Sequence, residues 1–327
     1  MEEEKTNWLQ SFVKKHPYWF CWAAFGILMV FRAIDFFVLR LDDTEWLGYT
    51  TIHEVIGVIL LALILWQLKW TWASIGMINK KWWKHLGIGL LLGGVTLAIA
   101  LVVEMISVAG QSPQLMFFMG TLSGSPEVVV RTGLWIVLSG LIFNVVVVIT
   151  EEGFFRGLFR QVLKGANFWK AALFASFLFG LWHTPAAILA GIDGTLDWMS
   201  AVSFMFGYTV FGLVVGTTYS ILYAMTGSIL VSVAHHWIVN MCLLMVHIVV
   251  DNTEPGITNR SIITNVLTAL AVVGVYFLWY KRTKRPNLDV AAPVEAAPTE
   301  TVPVEVASGG AGTPELAGEV QAEPANT

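Results

Sequence analysis

Long apolar stretches are the feature that most constrains how this chain can fold. Eight of them are about 20 residues long, which is the length a helix needs to cross a hydrocarbon layer roughly 30 Å thick. They predict membrane spans near residues 18–38, 51–70, 86–107, 130–152, 171–190, 200–224, 228–249 and 261–280, the fourth continuing as helix through Lys164. Apolar residues make up 56% of the chain and charged residues 13%, a balance that excludes an ordinary soluble globular domain. The sequence therefore predicts an all-α fold, a polytopic bundle of membrane helices.

The distribution of lysine and arginine predicts how the bundle is oriented. If the N-terminus is cytoplasmic, the inner segments hold fifteen basic residues and the outer segments hold three, Arg40, Arg131 and Arg260. Cytoplasmic loops carry such an excess, so we expect eight crossings of the cell membrane with both termini in the cytoplasm. The start of the chain lacks the basic region of a cleaved signal peptide, and the first span is expected to remain in the mature protein.

The last 42 residues differ in composition from the rest of the chain. Residues 286–327 contain six prolines, seven acidic residues, no basic residue and no aromatic residue. Such a segment cannot bury enough apolar surface to offset its loss of conformational entropy. We therefore predict a transmembrane domain at residues 1–285 and a disordered, acidic cytoplasmic tail at residues 286–327.

Two classes of function are excluded at this stage. The basic residues are scattered at helix ends and form no continuous patch, which argues against a nucleic-acid partner. Cys21 and Cys242 both lie in apolar stretches and form no CxxC motif. The sequence therefore excludes a secreted disulfide framework and a function based on thiol chemistry.

Ionisable residues inside the spans are functional candidates, because the bilayer makes them costly unless they are paired or face water. Several are expected to be structural. Arg32 and Asp35, three residues apart on the first span, can form an ion pair, and Glu104 is expected to make an interfacial or interhelical hydrogen bond. Structural roles at the outer ends of spans, where water can reach, are expected for His53, Glu54 and His247.

The fourth span carries two adjacent carboxylates that the helix separates. Arg156 follows Glu152 by one turn, which allows an i,i+4 ion pair. Glu151 points about 100° away around the helix. It is therefore predicted to face the bundle interior as an unpaired carboxylate.

Two further spans each carry a histidine one helical turn away from an aromatic or amide residue. In the fifth span His183 comes one turn after Phe179, and in the seventh Asn240 comes one turn after His236. His235 lies about 100° off the face of His236 and is expected to be a structural neighbour.

One carboxylate and two histidines on separate helices can activate a water molecule. A glutamate can take a proton from water, one histidine can hold that water, and a second histidine with an amide can donate hydrogen bonds to an oxyanion. Glu151, His183 and His236 are also the ligand types of several catalytic zinc sites, although the sequence has no HExxH pattern. The residues alone leave both mechanisms open. We favour hydrolysis that requires no cofactor, with zinc as the alternative.

These three motifs resemble those of the CPBP intramembrane proteases, which include the type II CAAX prenyl endopeptidases and bacteriocin-immunity proteins. The family pattern is EExxxR, FxxxH and HxxxN or HxxxD on successive core helices. It is matched here by Glu151, Glu152, Arg156, Phe179, His183, His236 and Asn240, within a core of about residues 130–250.

The resemblance implies a helical endopeptidase in the lipid bilayer that cleaves a prenylated or unprenylated peptide or protein substrate near the cytoplasmic face. By position, Glu151 resembles the general base and His183 its water-orienting partner. His236 and Asn240 resemble the oxyanion donors. Glu152 and Arg156 resemble a supporting pair. The oligomeric state is left open.

Two other functions are compatible with the same residues. A non-catalytic member of the family would bind or sequester a peptide, as in bacteriocin immunity. A proton-coupled transporter would use the carboxylates and histidines as a proton relay, although no internal repeat is visible in the sequence.

The predicted spans place two of the site residues at different depths. Glu151 is near the cytoplasmic end of its span, whereas His183 is twelve residues into the next, or about 18 Å. The two can meet only if the fifth helix starts in the cytoplasm or if the fourth extends beyond its predicted boundary.

Overall fold

The computed structural model describes residues 7–40, 52–120, 130–131, 134–251 and 253–283. These parts of the chain are mainly helical. The helices are α1 (Trp8–Lys15), α2 (Pro17–Ile34), α3 (Ile52–Leu68), α4 (Trp82–Ser107), α5 (Leu134–Glu152), α6 (Phe159–Val162), α7 (Phe168–Trp182), α8 (Thr184–Ile192), α9 (Trp198–Thr226), α10 (Leu230–Met245) and α11 (Ile257–Thr283). The predicted tail at 286–327, and its predicted disorder, lie outside the described residues.

Within the described residues, four short strands add to the predicted all-α fold. They are β1 (Gln114–Phe117), β2 (Met119–Gly120), β3 (Val130–Arg131) and β4 (Val246–Val249). β1 pairs with β4 and β2 pairs with β3, both antiparallel. β4 begins where α10 ends, at a run rich in β-branched residues, which favour extended backbone. The two small sheets lie at one end of the helix bundle, which we call the strand end.

Six helical segments of the described chain are long and apolar enough to cross a membrane. They are Pro17–Leu39, Trp82–Ser107, Val137–Val162, Phe168–Ile192, Trp198–Thr226 and Ile257–Arg282. The other two predicted spans correspond to the shorter apolar helices α3 and α10, of 17 and 16 residues, or about 26 and 24 Å. The chain is thus a multi-pass membrane protein, and eight crossings with cytoplasmic termini remain predictions.

The fourth predicted span continues well past the two carboxylates. A π-helical turn at Gly153–Leu158 follows α5 directly and leads into α6, so the helical rod extends to Val162. The sequence predicted helix through Lys164, and the rod ends two residues earlier. Glu151 consequently lies about three turns inside the rod.

The fifth predicted span is broken at His183. Pro185 has no N–H to donate to the carbonyl of Leu181, so the regular helix cannot continue through this point. The hydroxyl of Thr184 donates to that carbonyl instead, at 2.8 Å. Proline early in α8 thus ends α7 at Trp182 and leaves His183 at the junction between the two helices.

Glycines allow helices to approach closely beside this junction. A Cβ atom on Gly212 of α9 would overlap the backbone of Gly180 in α7, and one on Gly216 would overlap Ser176. Small residues at such positions let membrane helices pack backbone to backbone. α9 therefore packs directly against the helix that carries His183.

We expect the substitution Gly212→Val to separate α7 and α9 and to destabilise the protein by about 3 kcal/mol, because the bulk meets backbone that cannot move aside. Thermal unfolding of the purified protein in detergent would measure this. Gly207→Val is a matched control on α9, because a Cβ atom there meets no neighbour. Equal unfolding temperatures for the two variants would contradict the expectation.

A buried ion pair joins α4 to α11 at the strand end. Arg260 donates from Nε and Nη2 to the two oxygens of Glu104 and from Nη1 to the carbonyl of Val246. His247 contacts Glu254 at 2.7 Å beside it. The interhelical partner expected for Glu104 is therefore Arg260, and His247 is structural.

Removal of Arg260 should reveal how much this pair contributes. Arg260→Met is expected to lower the free energy of unfolding by about 3 kcal/mol, because it leaves Glu104 buried without a partner. In the Glu104→Gln background the same substitution should cost much less. A thermal unfolding series of the four proteins tests this, and equal costs in both backgrounds would contradict it.

The expected pairing of Arg32 with Asp35 is wrong. A π-helical turn begins at Asp35, and both side chains pair with residues of α3 and not with each other. Asp35 accepts hydrogen bonds from His53 instead, and Arg32 pairs with Glu54 at 3.3 Å. His53 and Glu54 were expected at a wet interface, yet they are only 1% and 2% exposed.

Candidate functional site

Three helices bring the predicted acid and the two predicted histidines together. Glu151 comes from the end of α5, His183 from the junction of α7 and α8, and His236 from α10. His236 Nε2 lies 3.6 Å from Glu151 Oε2, and His183 Nε2 lies 4.0 Å from Glu151 Oε1. The carboxylate of Glu151 thus stands between the two imidazoles, with one oxygen toward each.

The second carboxylate holds the His236 ring in place. Glu152 is fully buried and accepts a hydrogen bond from His236 Nδ1 at 3.0 Å. Arg156 Nη1 lies 3.3 Å from the same oxygen of Glu152, so the predicted i,i+4 pair is present. The guanidinium packs over the ring of Phe179, 3.9 Å from its centroid. The first and second motifs are therefore joined by a cation–π contact.

The break at His183 fixes the direction of its ring. His183 Nδ1 donates to the carbonyl of Phe179 at 2.9 Å, which leaves Nε2 facing Glu151. The ring also makes an edge contact with Phe179, with centroids 4.8 Å apart. The side chain of His183 is 29% exposed, against 12% for His236 and 5% for Glu151. The site is therefore most open on the His183 side.

Asn240 lies one turn from His236, and the structure shows what holds its amide. Asn240 Nδ2 donates to Asn144 Oδ1 at 3.2 Å. Asn144 in turn donates to the carbonyl of Trp237 at 3.3 Å. Asn144 was not among the residues predicted from the sequence, although it lies about two turns before Glu151 and hence on a similar face of α5.

A second missed residue contacts the predicted base itself. Trp182 Nε1 donates a hydrogen bond to Glu151 Oε1 at 2.8 Å, and the indole is fully buried. Glu151 is therefore not the unpaired carboxylate that the helix geometry predicted. The sequence offers one signal for the role of Trp182 in the site, which is that it directly precedes His183.

His235 is held by two partners away from Glu151. The hydroxyl of Tyr219 contacts His235 Nδ1 at 2.7 Å, and the hydroxyl of Thr268 contacts Nε2 at 2.9 Å. The ring is fully buried. It joins α10 to α9 and α11, which agrees with the structural role expected from the sequence.

The difference in depth between Glu151 and His183 disappears in the folded chain. Glu151 lies about three turns before the end of the rod at Val162, and His183 lies about four turns after the start of α7 at Phe168. The short connection between Val162 and Phe168 places these two ends together. Both side chains therefore reach similar depths, mainly because the rod extends beyond α5.

A zinc ion, the alternative to the mechanism without a cofactor, would be held by Glu151, His183 and His236. Tetrahedral zinc with bonds of about 2.0–2.2 Å places neighbouring ligand atoms about 3.4 Å apart. Here His236 Nε2 lies 3.6 Å from one oxygen of Glu151 and His183 Nε2 lies 4.0 Å from the other, slightly more than that spacing. Within the described ranges, no group of three or more His, Cys, Asp or Glu side chains is arranged to hold a metal ion.

Comparison with known protein families identifies the part of the chain that contains this site. The family model described as type II CAAX prenyl endopeptidase Rce1-like matches residues 133–242, about a third of the chain. A search of curated proteins found no match. The matched segment includes every residue of the three motifs, from Glu151 to Asn240. The resemblance predicted from those motifs is confirmed, because residues 133–242 are similar to the type II CAAX prenyl endopeptidase Rce1-like family.

Proposed function

We propose that this protein is an intramembrane endopeptidase in which Glu151 and His183 activate a water molecule for attack on a peptide bond. One observation carries the proposal. Glu151 Oε1 and His183 Nε2 are 4.0 Å apart, too far for a direct hydrogen bond and suitable for one water between them. The family of the matched domain is a family of proteases, which supports the same chemistry.

The ring of His183 is set to hold such a water. Because Nδ1 donates to the Phe179 carbonyl, the Nε2 of the neutral ring keeps its lone pair and accepts a hydrogen bond. A water that donates one hydrogen to His183 and the other to Glu151 presents its oxygen to the substrate. Glu151 takes the proton as the oxygen bonds to the scissile carbonyl carbon, and the same proton then passes to the nitrogen that leaves when the carbon–nitrogen bond breaks.

His236 and Asn240 are the proposed donors to the oxyanion of the intermediate. With Nδ1 donating to Glu152, Nε2 of His236 can donate only when both ring nitrogens carry a proton. The Asn240 amide has two N–H groups, and its contact with Asn144 uses one of them. Donors fixed before the reaction stabilise the oxyanion without reorganisation.

The proposed substrates are peptides or proteins processed near the cytoplasmic face of the cell membrane. The family name points to prenylated CAAX termini, and unprenylated peptides of the bacteriocin type are the other proposed class. No observation favours the non-catalytic peptide-binding role or the proton-coupled transporter over hydrolysis.

The test uses the full chain purified and reconstituted in lipid vesicles. A farnesylated CAAX peptide and the same peptide without the lipid would be offered to the wild type and to Glu151→Gln. Cleavage by the wild type alone, located by mass spectrometry, is the expected result, and the faster peptide identifies the substrate class. Equal cleavage by both proteins, or by neither, would overturn the proposal.

Chelation is expected to leave hydrolysis unchanged, because the proposed steps use only side chains and water. The measurement is the cleavage rate before and after treatment with 1,10-phenanthroline, together with metal analysis of the purified protein. Loss of activity on chelation and its return with stoichiometric zinc would instead support the zinc alternative. A buffer control containing 1,7-phenanthroline, which does not chelate, separates metal removal from nonspecific inhibition.

A further inference from the structure

A second group of buried ionisable side chains lies beside the candidate site, on helices that precede the matched domain. It consists of Arg32, Asp35, His53 and Glu54 from the α2 and α3 region, and we call it the N-terminal polar cluster. His53 Nδ1 donates to Asp35 Oδ2 at 2.7 Å, and Arg32 Nη1 donates to His53 Nε2 at 2.8 Å and to Glu54 at 3.3 Å. All four side chains are buried.

The cluster reaches the candidate site through Trp182. The Arg32 guanidinium carbon lies 4.1 Å from the centroid of the Trp182 ring, and the His53 ring centroid lies 5.4 Å from it. The indole N–H of Trp182 donates to Glu151 Oε1. A continuous set of contacts therefore joins Arg32 to the proposed base.

A second contact joins α3 to α5, one residue before Glu151. The hydroxyl of Thr150 donates to the backbone carbonyl of Glu54 at 2.8 Å. Gly57 faces Thr150 across the α3–α5 interface so closely that a Cβ atom would overlap it. The end of α5 that presents Glu151 is thus packed directly against α3.

Packing alone does not explain why these helices meet at charged groups. Burying four ionisable side chains carries a desolvation penalty, and apolar residues of similar volume would join the helices equally well. The planar guanidinium does something that an aliphatic side chain cannot, because it lies over the indole face as a cation. The Glu54 carboxylate and the Asp35–His53 pair hold the guanidinium in that position.

The geometry at Glu151 explains what a fixed indole achieves. Its Oε1 is bound by Trp182, and its Oε2 lies 3.6 Å from His236 Nε2. Rotation of the carboxylate would break the first contact and lengthen the second. A ring held in one orientation therefore keeps both oxygens aimed at their partners.

We propose that Trp182 and Arg32 are positioning residues for Glu151: the indole N–H orients the carboxylate, and the guanidinium of Arg32 fixes the indole. This inference rests on the proposed function. It gives Arg32 of α2, and the Asp35, His53 and Glu54 side chains that hold it, a role in positioning the base, although they lie outside residues 133–242.

Kinetics in vesicles test the role of the indole N–H. Trp182→Phe keeps an aromatic ring and removes the donor, so kcat is expected to fall about tenfold, since a hydrogen bond to a charged group is involved. KM should stay within about twofold, because orientation of the base acts in the transition state. Trp22→Phe is the control, because Trp22 on α2 contacts Phe25 and Phe174 and not Glu151, and it should leave kcat unchanged. An unchanged kcat for Trp182→Phe would overturn the inference.

Arg32→Lys tests the guanidinium while keeping a positive charge beside Glu54. It is expected to lower kcat about fivefold, because an ammonium cannot stack as a plane on the indole. Arg260→Lys, in the buried interhelical pair with Glu104, is the control and should leave kcat unchanged. If Arg32→Lys does not insert stably, Glu54→Gln loosens the same guanidinium and replaces it in the test.

A double-mutant cycle separates positioning from a general loss of stability. If Arg32 acts through the indole N–H, Arg32→Lys should lower kcat by less than about twofold when Trp182→Phe is already present. Multiplicative losses from the two substitutions would show independent roles and would overturn the inference.

Ultraviolet resonance Raman spectroscopy supplies a readout that does not need cleavage. An indole band reports the strength of the N–H hydrogen bond, and the difference between wild type and Trp182→Phe isolates Trp182. We expect strong bonding in the wild type, weaker bonding in Glu151→Ala and intermediate bonding in Arg32→Lys. A band unaffected by either substitution would overturn the positioning role, whereas failure of the wild type to cleave peptides would overturn the proposed function alone.

Discussion

Glu151→Gln is expected to lower kcat by about 10⁴-fold, the upper range for removal of a general base. Glutamine has nearly the shape of glutamate and can still accept a hydrogen bond from Trp182, so the fold and the contact at 2.8 Å should be retained. It cannot take a proton from water. The measurement is the single-turnover cleavage rate in vesicles, with thermal unfolding of both proteins to show that stability is unchanged.

Glu104→Gln is the matched control for this prediction. It replaces another buried carboxylate on a membrane helix, one that pairs with Arg260 and not with the two histidines. Its cleavage rate per folded molecule should equal that of the wild type. A Glu151→Gln variant that keeps more than about one tenth of the wild-type rate would remove Glu151 from the role of base.

His183→Ala is expected to lower kcat by about 10³-fold, because the water then has only one acceptor to orient it. The side chain is 29% exposed, so imidazole added to the buffer should reach the space left by the substitution. We expect partial recovery of the cleavage rate with millimolar imidazole. His236→Ala should recover less, because that side chain is more enclosed and its ring is held by Glu152.

His85→Ala provides the control for the imidazole experiment. His85 is buried in α4, and its removal should affect neither the cleavage rate nor its response to imidazole. Full activity of His183→Ala without imidazole would contradict the proposed role in orienting water. A similar rise in the cleavage rate of His85→Ala or of the wild type on addition of imidazole would show that imidazole acts elsewhere.

The parts of the site that were predictable are those set by local helix geometry. The pairing of Glu152 with Arg156 follows from a spacing of four residues, and the separate direction of Glu151 follows from the rotation per residue. Both are present in the structure. The convergence of three motifs was predictable only from their resemblance to a family.

The parts that could not be predicted depend on contacts between distant helices. Trp182 is one of 15 tryptophans, and nothing in its spacing from Glu151 reveals a hydrogen bond across two helices. The N-terminal polar cluster was interpreted as a local pair and two interfacial residues, because the π-helical turn after Ile34 and the packing of α3 are not visible in the apolar pattern. Helix rotation and packing decide such contacts, and hydrophobicity alone does not fix either.

The helices themselves followed from apolar length, whereas their ends did not. α3 stops at Leu68, before Lys69 with its positive φ of 57°, and α10 gives way to β4. Both helices are therefore shorter than the segments that were predicted to span the membrane. The crossing number therefore depends on details of backbone conformation that a hydropathy pattern averages out.

The pair formed by Glu104 and Arg260 implies an order of events during synthesis. The two residues are 156 positions apart, and a ribosome adds roughly 5–20 residues each second. α4 must therefore wait on the order of ten seconds or more before the last helix emerges to neutralise its carboxylate. The insertion of α11 is therefore the step that neutralises the buried charge of α4.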